Sequence, residues 1–317
     1  MNKRLPQIRA IITGATGFIG SHLVQQILAN DGHVAVIVRE SSPNLSRLPN
    51  HPNLHMIQCE LENTAKWSKR LEDFEPQLFY HLAWKGVGNQ DRNDFCQVEN
   101  IQLSLATLRA AKDLGCIKWI GAGSQAEYGS LNCRISENEP THPTTLYGAA
   151  KLATCMMSQI LGKQLKIDAV WVRIFSTYGP GDNEGWLLPD VIKKLLNKEK
   201  PMLTPGEQLW DYLYVRDAAE AFLKLSITKQ TTGIYNLGSG KSQSIRSIVE
   251  LTRDLINPEL ELGFGEIDYR LDQVMHLEAN IEKITQDTSW YPKTNLATGI
   301  ENLIEYLRGS NCMGERQ

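Results

Sequence analysis

The chain reads as an α/β protein, a doubly wound parallel sheet carrying a smaller C-terminal lobe. Three observations predict it. Short apolar runs alternate with longer helical patterns through the first half, a glycine-rich run separates the first strand from the first helix, and the pattern breaks up after Thr177. Repeated strand–helix alternation implies parallel strands joined by crossover helices.

Ala10–Thr13, Val34–Arg39, His55–Cys59, Leu78–Leu82 and Trp119–Gly123 read as strands. Between them, Ser21–Asn30, Thr64–Phe74 and Val98–Leu114 read as helices. The last places apolar residues at 101, 103, 105, 108, 110, 111 and 114, enough for a well-buried face. A second amphipathic helix runs from about Tyr147 to Leu165 and leads into the strand Asp168–Ile174. Beyond Thr177, Pro, Gly and polar residues crowd Tyr178–Asp190; a helix over Leu188–Asn197 and a Pro/Gly-rich segment through Gly206 follow. Leu213–Val215 and Ile234–Leu237 are expected to return to the main sheet as strands. Residues 244–308 are expected to hold two helices and one strand.

With 42% hydrophobic and 22% charged residues, the composition is that of an ordinary globular protein. At 317 residues without a long polar linker or low-complexity run, two closely associated subdomains are expected. A net charge of −3 argues against a nucleic-acid partner, since phosphate binding needs a basic surface. Met1–Arg9 is polar, and no apolar stretch has the length of a membrane span, so a cytoplasmic protein with no membrane partner is expected. The cysteines at 59, 96, 116, 133, 155 and 312 are scattered without a C-x-x-C pair, which argues against disulfides and zinc. His51 and His55 have helical ligand spacing, but Pro52 between them indicates a loop, and no metal site is assigned.

The run Gly14-Ala-Thr-Gly-Phe-Ile-Gly20 sits directly behind the apolar stretch Ile8–Ile12 and opens the first helix. Strand, glycine-rich turn and helix in that order form a dinucleotide cradle. Gly14 turns tightly, Gly17 lets the backbone approach a pyrophosphate, and Gly20 allows close helix–strand packing. Free N–H groups and the positive end of the helix then face the phosphates. Thr16, Phe18 and Ile19 complete the candidate cofactor contacts of this turn. Residues 1–175 and 207–238 are accordingly assigned to a Rossmann-like dinucleotide-binding unit, and 176–206 with 239–317 to a substrate-binding lobe.

Tyr147-Gly-Ala-Ala-Lys151 carries the second signal. On a helix the phenol and ammonium lie one turn apart on one face. A nearby ammonium favours phenolate, so Tyr147 is expected to act as general acid or base below its ordinary pKa of about 10. Such pairs are common on helices; what distinguishes this one is the dinucleotide-type N-terminus that precedes it. Ser124 ends a strand at the sheet edge where a ligand is held, placed either to hydrogen-bond a carbonyl oxygen beside Tyr147 or to cap a turn.

These motifs make the chain resemble an extended short-chain dehydrogenase/reductase of the nucleotide-sugar epimerase/dehydratase/reductase group. The matching positions are GATGFIG (14–20), His81-Leu-Ala83, Asn100, GSQAEYG (123–129), YGAAK (147–151), Arg173 with Tyr178-Gly-Pro-Gly181, Asp211-Tyr-Leu-Tyr-Val215 with Asp217, Tyr235-Asn-Leu-Gly238, and Trp290-Tyr-Pro292. The resemblance implies a catalytic triad of Ser124, Tyr147 and Lys151, with Lys151 also bonding the nicotinamide ribose. It implies that Glu60 and Leu61 contact adenine and that Ala83 lines the cofactor cleft. It also implies a homodimer through the Val98–Leu114 and Tyr147–Leu165 helices.

Departures from the family pattern narrow the reading. Arg39 stands where NAD-preferring members place an aspartate on the ribose 2′-hydroxyl. An arginine there attracts a 2′-phosphate instead, and Ser41 and Ser42 add donors, so NADP(H) is expected in preference to NAD(H). Gln125 and Ala126 occupy the positions where 4,6-dehydratases carry an Asp-Glu pair, which removes that reaction. Glu127, one residue on, is expected to be structural. Trp210 and Ser176 replace an arginine and an asparagine usual in the substrate lobe, while Arg270 resembles the family's diphosphate-binding arginine. Trp84, Ser124, Gln125, Ser176, Trp210 and Arg270 are thus the candidate contacts for a nucleotide-diphosphate sugar. GSQAEYG is also similar to the serine motif of nucleotide-sugar 4-ketoreductases of the CDP-abequose synthase type. The expected activity is NADPH-dependent reduction of a 4-keto group on a nucleotide-activated 6-deoxysugar. The alternatives are an NAD-dependent 4-epimerase and a non-catalytic cofactor sensor, which the retained triad disfavours.

Overall fold

The computed structural model describes residues 8–183, 185–270 and 273–314. In chain order its strands are β1 (Arg9–Thr13), β2 (His33–Val38), β3 (Leu54–Gln58), β4 (Leu78–His81), β5 (Lys118–Ser124), β6 (Cys133–Ile135), β7 (Asp168–Ile174), β8 (Ser176–Tyr178), β9 (Met202–Leu203), β10 (Leu209–Tyr214), β11 (Gly233–Leu237), β12 (Ser242–Ser244), β13 (Gly263–Phe264) and β14 (His276–Ala279). The helices are α1 (Phe18–Ala29), α2 (Thr64–Lys69), α3 (Cys96–Asp113), α4 (Leu146–Leu165), α5 (Leu187–Leu196), α6 (Val215–Ile227), α7 (Ile245–Ile256), α8 (Glu282–Thr288) and α9 (Leu296–Gly314).

Seven parallel strands form the main sheet in the order β11-β7-β5-β4-β1-β2-β3. Both faces are covered, as a parallel sheet requires. Alternate residues serve opposite layers. Ala10, Ile12, Val34 and Val36 pack with Leu23, Val24 and Ile27 of α1 and Phe222 of α6. Ile11, Ala35, Ile37 and Phe79 pack on the other side with Trp67, Leu108 and Cys155 from α2, α3 and α4. Strand order reverses between β1 and β4, so the loops leaving their C-terminal ends open a crevice at the switch point.

The lobe has a second sheet, β12-β10-β14-β6 with β8 paired to β10, and a two-stranded sheet β13-β9. Its core joins Leu188, Ile192 and Leu195 of α5 to Ile248 of α7 and Leu303 and Ile304 of α9. No helix among the described residues is long and apolar enough to cross a membrane.

Four elements differ from the sequence expectation. Leu213–Val215 does not return to the main sheet: β10 ends at Tyr214, lies in the lobe sheet, and α6 begins at Val215. The cause is Asp211, fully buried in β10, whose carboxylate accepts from the backbone N–H groups of Ser239 (2.6 Å), Gly240 (3.0 Å) and Ala279 (3.0 Å). Those donors lie in the lobe and draw the strand there. The α1 helix begins at Phe18 rather than Ser21, inside the glycine run. The expected helix 64–74 stops at Lys69, followed by a separate short turn at Glu72–Phe74. Residues 244–308 hold three helices and two short strands rather than two and one.

Candidate active site

The crevice is a cleft of about 1250 Å³ between sheet edge and lobe. Gly14, Thr16, Gly17, Phe18, Ile19 and Gly20 line one end. Gly14 has φ +73°, and a Cβ there would lie 2.6 Å from the Ala83 nitrogen. A Cβ on Gly20 would collide with the Gly14 carbonyl oxygen. The loop, the first turn of α1 and the end of β4 therefore interlock as bare backbone, leaving amide groups at the N-terminus of α1 to face an anion. These residues fit a dinucleotide pyrophosphate.

Around this cradle, Arg39, Glu60, Leu61 and Ala83 also line the cleft. Ser42 shares a 3.0 Å hydrogen bond with the Thr16 hydroxyl, and Arg47 donates to the Thr16 carbonyl at 3.4 Å. Arg47 is a cleft residue that sequence reading did not find. Its segment carries no periodicity, and only the fold brings it over the glycine loop.

Ser124, Tyr147 and Lys151 come together at the middle of the cleft. Ser124 ends β5 and caps a short turn, Gln125–Glu127, its hydroxyl accepting from the Ala126 N–H at 3.2 Å. Glu127 closes the box: it is fully buried and accepts from the Ser124 N–H (2.9 Å), the Trp171 indole (2.8 Å) and the Arg173 guanidinium (2.8 Å). Glu127 thus fixes the serine's backbone from beneath. Thr145 caps α4 through the Gly148 N–H at 3.1 Å, and the Tyr147 N–H donates to the Arg92 carbonyl at 2.8 Å.

The electrostatics correct one expectation. Tyr147 is not held below its ordinary pKa: burial pushes the phenol up, against smaller opposing effects from the Ser124 hydrogen bond and the Arg92 charge. The Lys151 ammonium lies 5.7 Å from the Tyr147 ring centre and donates instead to the Ala122 carbonyl at 2.6 Å. Burial lowers Lys151 itself to about 7, with Glu127 opposing. In the protein alone the phenol is therefore protonated at neutral pH, and the lysine is poised to change charge. His81, whose ring bonds Thr13 and Ser104 at 2.9 Å each, is lowered to about 3 by burial and stays neutral.

The lobe wall is different in kind. Gln208, just ahead of β10, and Trp210 and Tyr212 within it alternate toward the cleft. The Trp210 indole donates to the Ser176 hydroxyl at 2.7 Å, so the two residues that depart from the family pattern are partners. Trp84, Gln125 and Arg270 line the same cleft. Asp182, not anticipated from sequence, also faces it, its carboxyl pushed up to about 7 by burial.

A family model described as the NAD dependent epimerase/dehydratase family matches residues 10–238. Among curated relatives, an uncharacterized UDP-glucose epimerase of Bacillus subtilis (strain 168) is 27% identical, covering 95% of this chain and 98% of the relative. The dTDP-4-dehydro-6-deoxyglucose reductase of Escherichia coli is 25% identical over 94% and 97%. Among solved structures, the UDP-N-acetylglucosamine 4-epimerase from Methanobrevibacter ruminantium M1, in complex with UDP-N-acetylmuramic acid, superposes with a TM-score of 0.87 at 27% identity, covering 96% of this chain and 99% of that one. The glycine cradle, the parallel sheet and the match over most of the chain agree: this protein belongs to the NAD dependent epimerase/dehydratase family.

Proposed function

We propose that the protein reduces a 4-keto group on a nucleotide-activated 6-deoxysugar with NADPH. The observation that carries this reading is the cationic, hydroxyl-bearing part of the cleft: Ser42 and Arg47 bond the glycine loop at Thr16, and Arg39, just past the end of β2, lines the same cleft. Two guanidiniums beside a ribose site favour the extra phosphate of NADP(H). A net reductase consumes reduced cofactor at each turn, and the phosphorylated form serves that use. The E. coli relative whose name states a reduction is consistent with it.

When bound, the dinucleotide supplies the hydride. The chain's own residues do the rest. Ser124, fixed by Glu127, hydrogen-bonds the ketone oxygen and polarises it. Tyr147, held in its protonated form by burial, gives that oxygen its proton. Lys151 supplies positive charge and a donor toward the ribose. Trp84, Gln125, Ser176, Trp210 and Arg270 form the sugar and diphosphate surroundings. The proposed substrate is a nucleotide-diphosphate sugar.

The same reading includes a homodimer. The exposed Val98 of α3 and Met156, Met157 and Ile160 of α4, with Phe95 ahead of α3, form an apolar surface suited to a second copy.

A 4-epimerase is the second reading, favoured by the names of the B. subtilis and M. ruminantium proteins. One assay separates the two. Steady NADPH oxidation on adding 4-keto-6-deoxy nucleotide sugars carrying CDP, dTDP, GDP or UDP is the expected result, with turnover reduced about 10²–10⁴-fold in Tyr147→Phe. Purified protein holding NAD+ through dialysis, with no NADPH consumption on any of them, would establish the epimerase instead.

A further inference from the structure

The Lys151 ammonium has a neighbour that no motif announces. It lies 3.6 Å from the centre of the Trp84 ring, well inside the roughly 6 Å over which an aromatic face attracts a cation. The indole is itself held. Its N–H donates to Gln97 Oε1 at 2.8 Å, and Gln97, fully buried on α3, donates to the carbonyls of Gly86 (2.6 Å) and Asp91 (3.0 Å). Gly86 has φ +72°, and a Cβ there would lie 2.7 Å from the Gln97 amide, so only glycine lets the loop close on it. Asn100 pins the same loop, accepting from the Lys85 N–H (2.9 Å) and donating to the Lys85 carbonyl (3.0 Å). The ring also meets Tyr147 edge-on at 6.1 Å.

We propose that Trp84 is a positioning residue for the catalytic lysine, its indole face, aimed by Gln97, holding the Lys151 ammonium in its charged form against Ala122. This rests on Lys151 belonging to the triad. It gives Trp84 a role other than a wall of the sugar pocket. A wall needs bulk alone, whereas a cation holder needs the electron-rich face of an aromatic ring.

The charge matters because burial leaves Lys151 near 7, where a modest loss of stabilisation changes the cationic fraction at working pH. The titratable groups around it are Tyr147 on its own helix, Glu127 in the turn after β5 and His81 on β4. Arg92 lies over the Tyr147 ring at 5.4 Å, and Arg173 is paired with Glu127. Glu127 favours the cation, but its carboxylate is already taken up by three donors. Trp84 is the aromatic face closest to the ammonium, ahead of Tyr147 at 5.7 Å and Trp171 at 5.9 Å.

The test is competitive acetylation of Lys151 by acetic anhydride in the protein without substrate, followed by mass spectrometry from about pH 5 to about pH 10. Trp84→Leu keeps an apolar side chain and removes the ring face; Trp84→Phe keeps a face. The midpoint in the Leu variant should fall by about one pH unit, the equivalent of a partly desolvated cation–aromatic contact, and in the Phe variant by less than half of that. Gln97→Leu, which retains the indole and frees it to turn, should give part of the Leu shift. The alkaline limb of kcat should move in parallel with the acetylation midpoint. An unchanged midpoint in folded Trp84→Leu overturns the proposal. So does a raised KM with an unmoved pH profile, which is the signature of a wall. The acetylation midpoint decides the matter even if no tested sugar ketone turns over, so failure of the proposal and failure of the reductase reading remain distinguishable.

Discussion

On the cofactor side of the cleft the surface is shaped by backbone: Gly14, Gly17 and Gly20 leave no room for side chains, and α1 starts inside the run they form. On the lobe side it is shaped by side chains: Trp210 and Tyr212 project from β10 with Gln208 just ahead of it, and Trp210 is paired with Ser176 from a strand more than thirty residues earlier. A wall made of backbone constrains residue identity at a fixed spacing and serves any ligand with the same phosphates. A wall made of side chains can change its ligand by substitution without altering the fold. The two replacements at 176 and 210 fall on this second wall, where such freedom exists.

Replacing Gly20 by Ala should show the larger effect. The new Cβ meets the Gly14 carbonyl, so the loop must move; overpacking of this kind costs about 1–3 kcal/mol, and dinucleotide binding measured calorimetrically should be lost with it. Binding retained within twofold would show that the interlock is not what shapes the cradle. Next comes Arg39→Asp, which leaves the backbone cradle intact. The ratio of kcat/KM for NADPH over NADH should fall about tenfold to hundredfold, the range for losing a hydrogen bond to a charged group. An unchanged ratio would assign the phosphate preference elsewhere on this wall, Arg47 first. The smallest effect is expected from Trp210→Phe, which removes the bond to Ser176. Thermal unfolding should report a loss of about 1 kcal/mol, and KM for the sugar should change while cofactor affinity does not. A change in cofactor affinity would mean that the two walls are not separable.

Legibility in the sequence follows the same division. The glycine run and the Tyr147–Lys151 spacing are local, and both line the cleft. Arg47, Gln97 and Asp182 are reached only through the fold, because nothing near them in the chain marks them. Asp211 shows the limit most directly: an acidic residue within an apolar strand pattern gives no hint that its backbone donors belong to the lobe. The Tyr147 error has a related cause. Helical spacing brings Lys151 within one turn, but it carries no information on burial, nor on the Ala122 carbonyl and Trp84 ring to which the ammonium turns.

β10 runs into α6 without a connecting loop, and Tyr214, its last residue, stands at the helix N-cap position. That helix packs against α1, where Gln26 donates to the Arg216 carbonyl at 2.7 Å, while His22 of α1 bonds the Pro180 carbonyl at 2.8 Å. The strand that lines the lobe side of the cleft and the helix that opens at the glycine run are thus linked through α6. In thermodynamic terms, any factor by which the dinucleotide improves sugar binding through this joint is the factor by which the sugar improves dinucleotide binding.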